Sequence, residues 1–124
     1  MGRAAHPSGR RVAENRRTMV SLHDRIDAVL RAPGADHDVD ELERLLTDGY
    51  AEALAVEAET LRLDKRLAAA TRELGDGSVD RAHELTALAR ELDVRSGELA
   101  ALRRLLAELR THTESRRVSA VGSR

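Results

Sequence analysis

Five histidines, at His6, His23, His37, His83 and His112, are the side chains best suited to chemistry in this sequence. Asp80 and His83 stand three apart, and Glu108 and His112 four apart. On a helix each pair shares one face and supplies half of a metal site. A chain that folds back about residues 75–78 sends the two pairs to opposite ends, so they do not share one ion. No His-Glu-x-x-His segment occurs, and no Glu-x-x-His pair of the di-iron bundle type. Solvated side chains are the simpler reading. The chain has no cysteine, which removes thiolate ligands, a thiol nucleophile and disulfides together. Gly75-Asp76-Gly77 makes a G-x-G, but a helical pattern precedes it rather than a strand, so it reads as a turn and not a phosphate loop. No nucleophile stands beside a base. The expectation is a protein that is not an enzyme and has no metal or cofactor.

Two charged features remain. Arg95 occupies a position where a leucine repeat calls for an apolar residue. Back-folding places it beside Glu57 and Glu59, where it could act as a register pair across two helices. The alternative is a kink at Ser96-Gly97 that turns Arg95 to water. Arg3, Arg10, Arg11, Arg16 and Arg17 make the N-terminus basic and are candidate phosphate contacts. That segment lacks the aromatic residues on which single-stranded bases stack.

The elements that position these groups are helical. Leucine returns at Leu85, Leu88, Leu92, Leu99, Leu102, Leu106 and Leu109, in alternating steps of three and four once Arg95 is counted. That is an a/d seam, the pattern of a helix packed along its length on another helix. Residues 38 to about 74 carry a matching seam through Leu42, Leu46, Ala53, Val56, Leu63 and Leu67. A second set there, Leu45, Tyr50, Leu54 and Leu61, reads as a widening of the same apolar face. Asp38 is placed to cap this helix, with Glu41 three residues on. A shorter first helix, about 12–31, carries Met19, Leu22, Ile26, Val29 and Leu30 at helical spacing. Pro33-Gly34 ends it.

The composition supports this reading. Charged residues make up 35% of the 124 residues and aromatics 1%, a single tyrosine. A core without aromatics is aliphatic and thin, as in a coiled coil. The net charge of −1 conceals blocks of +4 over residues 1–35, −8 over 36–64 and +3 over 65–124. A near-neutral total argues against a dedicated nucleic-acid binder, while the blocks suit pairing between segments. No secretory signal and no membrane-spanning run is visible, and the cytoplasm is the expected location.

The expected fold is therefore all-α: a long antiparallel helical hairpin with an additional N-terminal helix, three-helix bundle-like. Its parts are a disordered basic arm (1–11), one helical domain (12–113, helices about 12–31, 38–74 and 79–113) and a flexible tail (114–124). Folding about the 75–78 turn pairs positions whose numbers add to about 153, which also brings Asp48 and Glu52 towards Arg103 and Arg104. The interaction seam comprises Leu42, Leu46, Leu54, Leu61, Leu63, Leu67, Leu85, Leu88, Leu92, Leu99, Leu102, Leu106 and Leu109. The first helix covers about half of a hairpin about 55 Å long. A second copy is expected to cover the rest, as a homodimer, with another helical protein as the other partner class. The expected function is a scaffold, adaptor or regulator acting by helix–helix association; the alternative is a nucleic-acid-associated regulator that uses the basic arm.

Residues Leu45-Leu46-Thr47-Asp48-Gly49-Tyr50-Ala51, continuing through Ala55, Glu57 and Leu61-Arg62-Leu63, resemble a short coiled-coil family of high-GC actinobacteria. The heavy use of arginine over lysine agrees with such a genome. That family has no assigned activity, so the resemblance implies a fold and no functional residues.

Overall fold

Three helices make up the chain: α1 (Pro7–Arg31), α2 (Val39–Arg72) and α3 (Val79–Gly122). The computed structural model describes the backbone of residues 7–32, 37–73 and 79–122, and side chains from residue 17 onward within those ranges except 18, 20 and 122. Among the described residues there is no strand, and the fold is all-α and three-helix bundle-like. The expected arm at 1–6, the Pro33-Gly34 stop and the 75–78 turn lie outside the described residues.

Two helix limits differ from the sequence reading. α1 begins at Pro7 rather than about residue 12. A proline suits the first helical position, because its missing N–H would be unpaired there anyway and its φ is already helical. α3 continues to Gly122, so the segment expected as a flexible tail is helical over 114–122. The start of α2 agrees closely. Asp38 Oδ1 accepts from the Asp40 amide at 3.4 Å, and the Leu42 amide donates to the Asp38 carbonyl at 3.1 Å. Asp38 thus caps α2, and Asp40 and Glu41 in the first turn oppose the helix dipole.

The chain divides into two compact units. Unit one holds Met1–Glu52 and Leu105–Arg124; unit two holds Ala53–Arg104. In unit one all three helices contribute to an aliphatic core. Met19, Leu22 and Ile26 come from α1, Leu42 and Leu45 from α2, and Leu106 and Leu109 from α3, all buried. Gly49 is the tight point of this packing. A Cβ there would collide with Leu106 Cδ2 and lie 3.4 Å from Leu106 Cγ and 3.7 Å from Ile26 Cδ1. Leu106 is itself buried, so it has little room to yield.

Gly97, in unit two, is the opposite case: it is exposed, and nothing lies within 4 Å of an added Cβ. Gly97→Ala is therefore expected to stabilise by up to about 1 kcal/mol through helix propensity. Gly49→Ala gains the same propensity, but overpacking costs about 1–3 kcal/mol, so its net effect is expected to be destabilising. Urea unfolding followed by far-UV circular dichroism distinguishes the two. A stabilising Gly49→Ala would contradict the close packing of α2 on α3 in unit one.

Unit two is an antiparallel pairing of the later part of α2 with the earlier part of α3. Its buried apolar residues are Ala53, Val56 and Leu63 from α2, and Leu88, Leu99 and Leu102 from α3. Arg103 pairs with Glu57 at 2.9 Å, and Arg81 pairs with Glu73 at 3.1 Å. Both are exposed pairs, worth a few tenths of a kcal/mol each.

Candidate interaction surface

The leucines of the sequence seam fall into three groups. Leu42, Leu63, Leu88, Leu99, Leu102, Leu106 and Leu109 are buried within the chain's own core. Leu46, Leu67, Leu85 and Leu92 are half-buried. Leu54 and Leu61 are 67% and 57% exposed. These last two do not belong to the seam that closes the chain.

Helical phase explains the difference. At about 100° per residue, Leu54 and Leu61 lie about 160° and 140° round α2 from Val56, which is fully buried. Leu45, expected in the same stripe, is nine residues from Leu54 and so on the opposite side; it is buried. Tyr50 lies with the outer pair and is 44% exposed. The second apolar set is thus not a widening of the core face. It is a separate outward line, from which Leu45 has to be removed.

Arg95 is fully buried in unit two, and α3 runs helical through Ser96-Gly97. Its Nε and Nη2 donate to Glu59 Oε2 at 2.9 and 2.6 Å, and its Nη1 donates to Glu98. Glu59 is itself buried, its side chain 10% exposed. Glu57, expected beside Arg95, instead engages Arg103. Glu98, three residues along α3 from Arg95, is the partner that the sequence reading missed. Its signal was the i,i+3 spacing of opposite charges.

The described part of the C-terminal segment carries two further contacts within unit one. Arg116 Nη2 donates to the His37 carbonyl at 3.3 Å. Arg117 pairs with Glu43, whose carboxylate raises the guanidinium above its ordinary value, first by hydrogen bonding and then by charge. Thr113 is buried and back-bonds to the Leu109 carbonyl at 2.8 Å. Arg116 and Arg117 thus tie the segment beyond residue 113 to residues 37 and 43.

Of the N-terminal arginines, Arg3 and the side chains of Arg10, Arg11 and Arg16 lie outside the described residues. Arg17 is exposed. With Arg25, Asp48 and Glu52 it lines an open groove of about 570 Å³ in unit one. Basic α1 and acidic α2 thus meet as the charge blocks suggest, and the groove is lined by two cations and two anions. His23, His37 and His112 are half-buried and His83 is exposed. Among the described residues no group of three or more His, Asp or Glu is placed to hold a metal ion, and no helix is long and apolar enough to cross a membrane.

The class defined by these features is an all-α, three-helix bundle-like protein in which α2 carries an outward apolar line at Tyr50, Leu54 and Leu61. Comparison with family models, curated proteins and solved structures gives no significant match. The resemblance of residues 45–63 to an actinobacterial coiled-coil family therefore rests on those residues alone.

Proposed function

We propose that this chain is a non-enzymatic interaction protein, a scaffold, adaptor or regulator, that works by helix–helix association and associates with itself. One observation carries the reading. Leu54 and Leu61, with Tyr50, stand exposed on α2 although the opposite side of the same helix is packed. Leucines scattered singly on a surface need no explanation. Two leucines one heptad apart form a repeating line, the arrangement by which one helix engages another.

Size-exclusion chromatography with light scattering tests the reading. A dilution series through the micromolar range should show mass rising from 13.6 kDa towards twice that value. A constant monomer mass, with no binding of a dye specific for exposed apolar surface, would contradict it.

A further inference from the structure

The residue types along the outward line of α2 point to what covers it; the spacing, common to any helix face, fixes which positions would pair. At about 100° per residue, the positions centred on that face are 43, 47, 50, 54, 61, 65, 68 and 72. Their steps, 4, 3, 4, 7, 4, 3 and 4, read the same in both directions. Reversing the helix about a point between Glu57 and Ala58 maps the line onto itself, each residue meeting the one whose number completes 115.

The chemistry of the mapped pairs is complementary away from the axis; at the axis the two copies of Glu57 come together, each already paired with its own Arg103. Leu54 meets Leu61, both more than half exposed in the isolated chain. Tyr50, the chain's one tyrosine, meets Lys65, its one lysine. A cation over a phenol ring is an attractive pair. Thr47 meets Ala68, two small exposed residues. At the ends Glu43 meets Arg72; Arg117 is placed on Glu43 Oε1, and the side chain remains 45% exposed. The charge of the whole helix follows the same rule. Residues 39–57 carry six acids and one arginine, while 58–72 carry four bases and two acids. An antiparallel copy sets the acidic part on the basic part. A parallel copy sets lysine on lysine and glutamate on glutamate, which is disfavoured.

We infer that the occupant of this face is a second copy of the chain, packed through α2 on α2 in antiparallel register, with Leu54 on Leu61 of the second copy and the two-fold axis between Glu57 and Ala58. The inference rests on the self-association proposed above and adds the face, the direction and the register. The contact is small. Residues 43–72 extend about 44 Å along a helix about 10 Å across, which gives about 450 Å² per copy, or about 900 Å² in total, below the range of stable interfaces and within that of weak, transient ones. Reversible association in the micromolar range follows.

The absence of native cysteine makes the test clean, because any thiol is an introduced one. Ala58→Cys should give a covalent dimer with a short bismaleimide, since the axis brings the two copies of position 58 together. Ala68→Cys alone should not, because in this register its copies lie about 30 Å apart along the helix. A mixture of Thr47→Cys and Ala68→Cys chains should cross-link as a mixed pair. In parallel, Leu54→Ser with Leu61→Ser should weaken dimerisation of the full chain about a hundredfold or more while leaving helicity unchanged, since both leucines are exposed. Cross-linking of Ala68→Cys alone would mean a parallel pair and would overturn the inference. So would a dimer indifferent to the double serine variant; that result places the contact on another face and leaves the proposed self-association standing. A wild-type chain that stays monomeric throughout removes both.

Discussion

Arg95→Met is expected to lower the unfolding free energy by about 3 kcal/mol. The side chain is fully buried, and its guanidinium makes three hydrogen bonds to two carboxylates. Removing it leaves Glu98 able to turn outward, since its side chain is already 32% exposed. Glu59 has no such escape, with a side chain only 10% exposed. The loss therefore comes mainly from a buried carboxylate that has lost its arginine, not from the attraction itself. It follows that removing both charges should undo the damage. Arg95→Met with Glu59→Met is expected to match the wild-type chain or exceed it by about 1–4 kcal/mol, because apolar residues of similar volume avoid the desolvation of two ions. The double-mutant cycle, measured by urea unfolding, isolates the coupling between the two positions. A single variant as stable as wild type would mean that Arg95 reaches water and that the pair contributes nothing.

The same pair bears on register. In a seam of leucines at three-and-four spacing, a slide of one heptad costs little, because leucine meets leucine again. A buried arginine with one matching acid on the facing helix is satisfied in only one alignment. The double Met variant is then the sensitive case: more stable, but with a less uniquely fixed pairing in unit two.

How much of this was legible in the sequence depended on the range of the interactions involved. The leucine seam of α3 and the cap at Asp38 are local patterns, readable from spacing alone, and the structure has both. The out-of-type position of Arg95 was visible for the same reason. Its partner was only half legible. Back-folding brought residues 57 and 59 into range, but the two-residue step between them is about 200° of helical phase, and Glu59 is the one on the inner side. Phase also explains the treatment of Leu54 and Leu61. Counting apolar residues along α2 grouped them with Leu45, whereas a separation of nine residues is about half a turn away from alignment. The helix ends were the least legible. At the N-terminus Gly, Ser and Pro together suggested an arm, although proline is also a helix-starting residue. At the C-terminus the segment looked polar and free, because Arg116 and Arg117 find their partners, His37 and Glu43, more than 70 positions earlier in the chain. Local sequence carries no trace of such contacts.

Ile26→Ala is expected to cost about 3 kcal/mol, with Ile26→Val costing about 1 kcal/mol. Ile26 is fully buried and its Cδ1 lies 3.7 Å from where a Cβ would stand on Gly49 of α2. The value depends on whether the surroundings can close over the missing atoms. Here they cannot do so easily. The wall opposite Ile26 is a glycine with no side chain to swing inward, and that glycine is held against Leu106, which is 2% exposed. The cavity therefore persists, and the cost lies well above the transfer term of the lost methyl groups. For a small domain whose total stability is about 5–15 kcal/mol, such a loss is a substantial share. Leu54→Ala removes a similar volume from α2 but starts from a side chain two-thirds exposed. Below the concentration at which copies associate it should change stability by less than about 0.5 kcal/mol. Measuring both variants in dilute solution by urea unfolding, with the denaturant slope checked for constancy, separates the closed core from the open line. A small effect at Ile26 would show that α1 contributes little to unit one. A large effect at Leu54 in dilute monomer would show that the outer line already has a partner within its own chain.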